Sequence, residues 1–185
     1  MLTEISLNVL DIAQNSITAE ASLVKIDIKV DQKKDLLELS IEDNGFGMDE
    51  EALSKVCDPF YTTRTTRKVG FGISFLKLES ELTGGEFNID SSKGKGTKVY
   101  ASFGLSHIDR MPLGDICESI HSLVVYNTNV DFVFTYTFND KSFTMDTREF
   151  RETLGDVPFD VPEISSFIKD FLYENKAEVD GGANI

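Results

Sequence analysis

Apolar residues first recur at helical spacing. Ile5, Val9, Ile12 and Ala13 mark an amphipathic helix over residues 2–17. On its other side Asn8, Asp11 and Asn15 fall at i, i+3 and i+7, one polar stripe without a lysine or arginine. The period then switches to two. Val24, Ile26, Ile28 and Val30 alternate with Lys25, Asp27 and Lys29, and Leu37, Leu39 and Ile41 repeat the pattern after a turn at 31–35, which predicts an antiparallel strand pair. A polar, glycine-bearing stretch from Asp43 to about Gly70 follows. A helix from about Phe71 to Leu82 ends at Gly84 and Gly85, since glycine most readily takes the left-handed conformation of a helix C-cap. Phe87 and Ile89, then Val99, Ala101 and Phe103, give two more strands across the turn Lys93-Gly94-Lys95-Gly96.

Helices with a mostly antiparallel sheet covered on one face make an α+β sandwich, here spanning residues 1–107. From about Met111 the pattern restarts. Leu113, Ile116, Ile120, Leu123 and Val124 follow Pro112 as a helix, and Phe132, Phe134, Tyr136 and Phe138 give a strand with one aromatic face that turns at 139–141 towards Phe143. Ile164, Phe167, Ile168, Phe171 and Leu172, behind Pro162, form a last amphipathic helix. The expectation is a small αββα appendage of its own over 111–176, of unknown role, with fraying from Glu174 and a disordered tail at 177–185. An apolar patch left on it would mark a docking or homodimer surface.

Charge removes several classes of function. Eighteen Lys+Arg against thirty-two Asp+Glu give a net charge of −14, which repels nucleic acid and anionic lipid. Cys57 and Cys117 stand apart with no CxxC spacing, so neither a disulfide framework nor a zinc site is expected and a reduced, cytoplasmic setting is. No segment approaches the roughly 18–20 apolar residues of a membrane span, and no basic-then-apolar leader opens the chain.

Four segments carry the chemistry. They are Leu10-Asp11-Ile12-Ala13-Gln14-Asn15-Ser16 on the first helix; Asp43-Asn44-Gly45-Phe46-Gly47-Met48 at a strand end; Asp58-Pro59-Phe60-Tyr61-Thr62-Thr63-Arg64 with Gly70-Phe71-Gly72-Ile73-Ser74; and Gly94-Lys95-Gly96-Thr97 before a strand. Between Asp58 and Glu79 there is no acidic residue, while Arg64, Arg67 and Lys68 form a basic island. Such an island needs an anion, and glycines opening a helix aim backbone N–H groups at phosphate.

In this order and spacing the segments resemble the boxes of the GHKL ATPases, the superfamily of gyrase, MutL, heat-shock chaperones and sensor histidine kinases, over roughly residues 5–103. The resemblance implies a Bergerat-type two-layer sandwich with a mixed, mostly antiparallel sheet and helices on one face. It implies a site for ATP with Mg²⁺. Asn15 is the metal's amide ligand, because Mg²⁺ takes oxygen donors and keeps several waters, so one amide beside a triphosphate suffices. Asp11, one turn earlier, stands where hydrolysing members carry a glutamate that orients the attacking water. Asp43 accepts from the adenine amine, Gly45 and Gly47 let the backbone approach the ring, and Met48 packs near it. Arg64, Gly70 and Gly72 meet phosphate, and Thr97 helps hold the base.

The first box begins within a dozen residues of Met1, so the helical hairpin carrying a phosphoaccepting histidine is not expected, and His107 and His121 read as structural. The function implied is a stand-alone regulatory ATPase or protein kinase acting on a separate protein partner or phosphoacceptor. The alternative is a nucleotide-sensing module or an accessory subunit of a larger redox or signalling complex with little catalysis.

Overall fold

The computed structural model describes residues 4–58, 71–155 and 157–185. One six-stranded sheet runs through it in the order β3-β4-β2-β1-β5-β6. β1 (Leu23–Asp31) and β2 (Leu36–Asp43) are an antiparallel pair with Ile26 opposite Ile41, and β4 (Gly96–Gly104) continues from β2 and pairs with β3 (Phe87–Ser92). All four strands fall where the alternation places them.

Alternation also sets which face is covered. Val24, Ile26, Ile28, Leu37, Leu39, Ile41 and Val99 are buried beneath α1 (Ile5–Thr18) and α3 (Phe71–Leu82). The opposite face stays wet and is laced by ion pairs of Lys25 and Lys98 with Glu42 and of Lys29 with Glu38. The two-layer α+β sandwich is therefore observed, with the mixed sheet arising at one junction only. β5 (Asp131–Phe138) lies parallel to β1, Ile26 beside Phe134, and β6 (Lys141–Asp146) turns back antiparallel on β5.

That junction changes the expected organisation. The stretch after Met111 does not close a small core of its own, because its strands extend the first sheet and α4 (Ile116–Tyr126) packs on both α1 and α6 (Pro162–Asp180). One continuous core results. The linker is held as well: Ile5 N donates to Pro112 O and Ser6 N to Leu113 O.

Two short helices were not expected, α2 (Glu50–Lys55), capped by Asp49 accepting from Ala52 N, and α5 (Thr147–Leu154), capped by Asp146. Nor is the tail frayed. α6 runs on to Asp180, whose buried carboxylate accepts from Tyr136 Oη (3.0 Å), Lys176 Nζ (2.6 Å) and Gly182 N (2.9 Å), and Leu113 N donates to Ile185 O. A buried carboxylate persists only with such partners.

Candidate functional site

Asp43 is the last residue of β2, and its inward-facing position makes it a buried carboxylate. Oδ2 accepts from Ser16 Oγ at 2.6 Å, while Oδ1 accepts from Gly45 N at 2.9 Å and Thr97 N at 3.2 Å. A carboxylate offers about four acceptor positions. Three are taken by the protein, so the group is fixed in orientation with acceptor capacity left for one further donor.

The glycines around it are required by close approach. Gly96 has φ +100° and lies against Asp43 O, so any side chain there collides with the β2 backbone. A Cβ on Gly45 would stand 2.6 Å from Ala19 O. Between these segments Ser91 acts as a peg: its Oγ accepts from Met48 N at 2.8 Å, donates to Gly96 O at 3.0 Å and lies 2.9 Å from Thr97 Oγ1.

Ser16, Asp43, Met48 and Thr97 are part of the wall of a cavity of about 530 Å3 between α1, α2, the start of α3 and the β2 and β4 ends of the sheet. Its volume suits a nucleotide-sized ligand. Asp11, Asn15, Asp43, Gly47, Met48, Gly72 and Thr97 all lie on its wall, so seven of the ten residues singled out in the sequence converge on one space. Gly45 does not line it but donates its N–H to Asp43 Oδ1. Arg64 and Gly70, with the basic island, lie outside the described residues.

On the α1 wall of the cavity Asp11 and Asn15 project from successive turns, both half-buried. Gly72, in the first turn of α3, packs against the Asp11 carboxylate so closely that a Cβ would strike it. Asn8 does not join them. It is fully buried and donates from Nδ2 to Glu4 O, because the 111–114 linker covers that end of the helix.

Among the described residues no group of three or more His, Cys, Asp or Glu side chains gathers to hold a metal. A single amide oxygen such as that of Asn15 fits Mg²⁺, which demands few protein ligands where phosphate oxygens and water complete its shell. Neither cysteine is a reactive thiolate: burial pushes Cys57 up, and pushes Cys117 up to about 12. His121 is structural, its Nε2 within 2.9 Å of Ser165 Oγ.

Two polar side chains that hold the site were not assigned roles in the sequence, Ser16 and Ser91. Ser91 was readable, because it continues the inward parity of Phe87 and Ile89 along β3.

Residues 1–107 match the family described as histidine kinase-, DNA gyrase B- and HSP90-like ATPases, and the chain belongs to it. It contains an ATP-binding domain of the sensor-histidine-kinase type. A putative sensor protein of Shewanella frigidimarina is 33% identical over 109 residues, 58% of this chain but 16% of its own. The sensor protein kinase FleS of Pseudomonas aeruginosa is 34% identical over 110 residues, covering 60% of this chain and 27% of its own. The chain thus matches about a quarter or less of the length of these relatives. A crystal structure of the N-terminal domain of a DNA repair protein shares the fold at 15% identity, with a TM-score of 0.55 over 78% of this chain and 52% of that one. No helix among the described residues is long and apolar enough to cross a membrane.

Proposed function

We propose that the chain binds ATP with Mg²⁺ and acts in the cytoplasm as a regulatory ATPase or protein kinase on a separate protein. The observation that carries this is the convergence of Asp11, Asn15 and Asp43 on one cavity. The spare acceptor position of Asp43 suits the exocyclic amine of adenine. Guanine presents a carbonyl there, which would leave both oxygens unpaired at a cost of about 1–3 kcal/mol.

Asn15 would hold the metal, which supplies charge neutralisation on the phosphate oxygens when bound. Asp11 stands one helical turn from Asn15, where a carboxylate can take a proton from a water or from the hydroxyl of a partner's Ser or Thr. Gly72, by lacking a side chain, leaves the space that carboxylate occupies. Ser16, Gly45 and Thr97 orient Asp43, and Ile41, Val99 and Met48 supply apolar contact for the base.

A second reading, a nucleotide sensor with little turnover, draws on the packing of α4 against α1, which ties the helix bearing Asn15 to the stretch after Met111. One assay separates the two. With γ-labelled ATP and cell extract, free phosphate supports the ATPase, label on another protein supports the kinase, and tight binding without turnover supports the sensor. Asp11→Asn should cut turnover while leaving binding intact. Unchanged turnover in that variant would remove the catalytic role.

A further inference from the structure

The cavity has an outer wall that the roles above leave unused. Phe46 lines it yet is 57% exposed, a large aromatic ring held at the mouth rather than in the core. It is held firmly. Phe46 N donates to Ala19 O at 2.9 Å, and its carbonyl accepts from Gly94 N at 2.7 Å, so the backbone is stapled on both sides. The second staple brings in the β3–β4 turn, closed by Lys95 N donating to Ser92 O, and Lys93 of that turn lies on the cavity rim beside Phe46. Among the described residues Lys93 is the sole cation on the wall, where Asp11, Asp43 and Asp49 are also found, and it makes no ion pair.

Position along the cavity decides what these two side chains can meet. The turn bearing Lys93 packs on Gly47, with Gly96 against the Asp43 carbonyl, which places it at the Asp43 end. Asp11 and Gly72 mark the opposite end, five residues earlier on α1 than Ser16, or about 7.5 Å along a helix axis.

Resting on the nucleotide reading, we propose that Phe46 and Lys93 form an outer clamp on the nucleobase, separate from any phosphate contact. The ring of Phe46 covers the base, and the Lys93 ammonium donates to a ring nitrogen, the acceptors that adenine presents once its amine is held by Asp43. Stacking is tolerant of base identity while the hydrogen bond is not, so the clamp adds affinity through Phe46 and selectivity through Lys93.

The test is calorimetry with adenosine, ADP and ATP, each with Mg²⁺, on the wild type, Phe46→Ala, Phe46→Tyr and Lys93→Ala, with thermal melts confirming that each variant folds. Phe46→Ala should weaken all three ligands by a common factor of roughly tenfold, as expected for a lost base–aromatic contact, and Phe46→Tyr should restore binding. Lys93→Ala should also lower all three by one factor, and that factor should survive 0.5 M salt. A loss that grows from adenosine to ATP, or fades with salt, would assign Lys93 to phosphate and overturn the clamp. Equal affinities in wild type and both alanine variants would overturn it too, leaving the nucleotide reading intact. A wild type that binds none of the three overturns that reading itself.

Discussion

The two halves of the sheet use the same frame to opposite ends. Where β2 ends and β4 begins the apolar run gives way to polar and glycine positions, and a buried carboxylate with its serine, glycine and threonine partners keeps a cavity open. Around β5 and β6 the equivalent space is filled by rings. Phe134 meets Phe143 edge-on at 5.8 Å, and Phe143, Phe171 and Phe150 continue the stack outwards at 6.4 and 5.4 Å. Aromatic pairs in this geometry add packing energy and leave no room. Whether a layer of helices over a sheet is a site or a core is decided by side-chain volume and by where polar groups find partners.

The contrast can be broken first at Asp43. Asp43→Ala removes the acceptor for Ser16, Gly45 and Thr97, so stability should fall by about 2–4 kcal/mol and adenine-nucleotide affinity by roughly 100-fold. Calorimetry and denaturant melts report the two losses. Gly72→Ala probes the other end of the cavity. The helix preference of alanine offsets part of the cost of displacing the Asp11 carboxylate, so stability should change by less than about 1 kcal/mol while turnover falls about tenfold. Steady-state phosphate release against a melt separates these effects.

Within the aromatic half the outcomes invert. Tyr136→Phe leaves Asp180 one donor short and should cost about 1–2 kcal/mol in urea unfolding with nucleotide affinity unchanged. The smallest effect lies at the α5 cap. The Arg148 guanidinium holds the Asp146 carboxyl below its ordinary 3.8. Its folded pKa is lowered, so the stabilisation is complete above that value and is lost as pH falls through the folded one. Arg148→Ala should therefore melt slightly below the wild type at pH 6, and the gap should close below about pH 3.8. A gap that persists into acid would place the contribution of Arg148 elsewhere.

Much of the site was legible because its residue types are constrained by contact. Gly96 and Gly45 leave no room for a side chain, and Asp43 ends a strand whose parity turns it inward. What the sequence hid was longer-range. Alternation in β5 reveals a strand but not that its neighbour is β1, more than a hundred residues earlier, since period two carries no partner identity. α2 buries no residue and so offers no hydrophobic period, although Asp49 followed by Glu50 and Glu51 was a start signal. The acid-rich end of α6 reads as frayed because its anchor, Asp180, is a charge that only tertiary partners make tolerable. The stripe of Asn8, Asp11 and Asn15 was right in direction and wrong in depth, because a helix face does not say which of its turns another segment will cover.

The parallel seam between β1 and β5 also has a consequence during synthesis. While the polypeptide grows on the ribosome, β1 has only β2 beside it, and one row of its amide and carbonyl groups stays unzipped until residues 131–138 emerge. An exposed flank of this kind invites pairing between nascent molecules. Shortening the interval, for instance by a circular permutant that translates β5 first, should reduce aggregation in the test tube and in the cell.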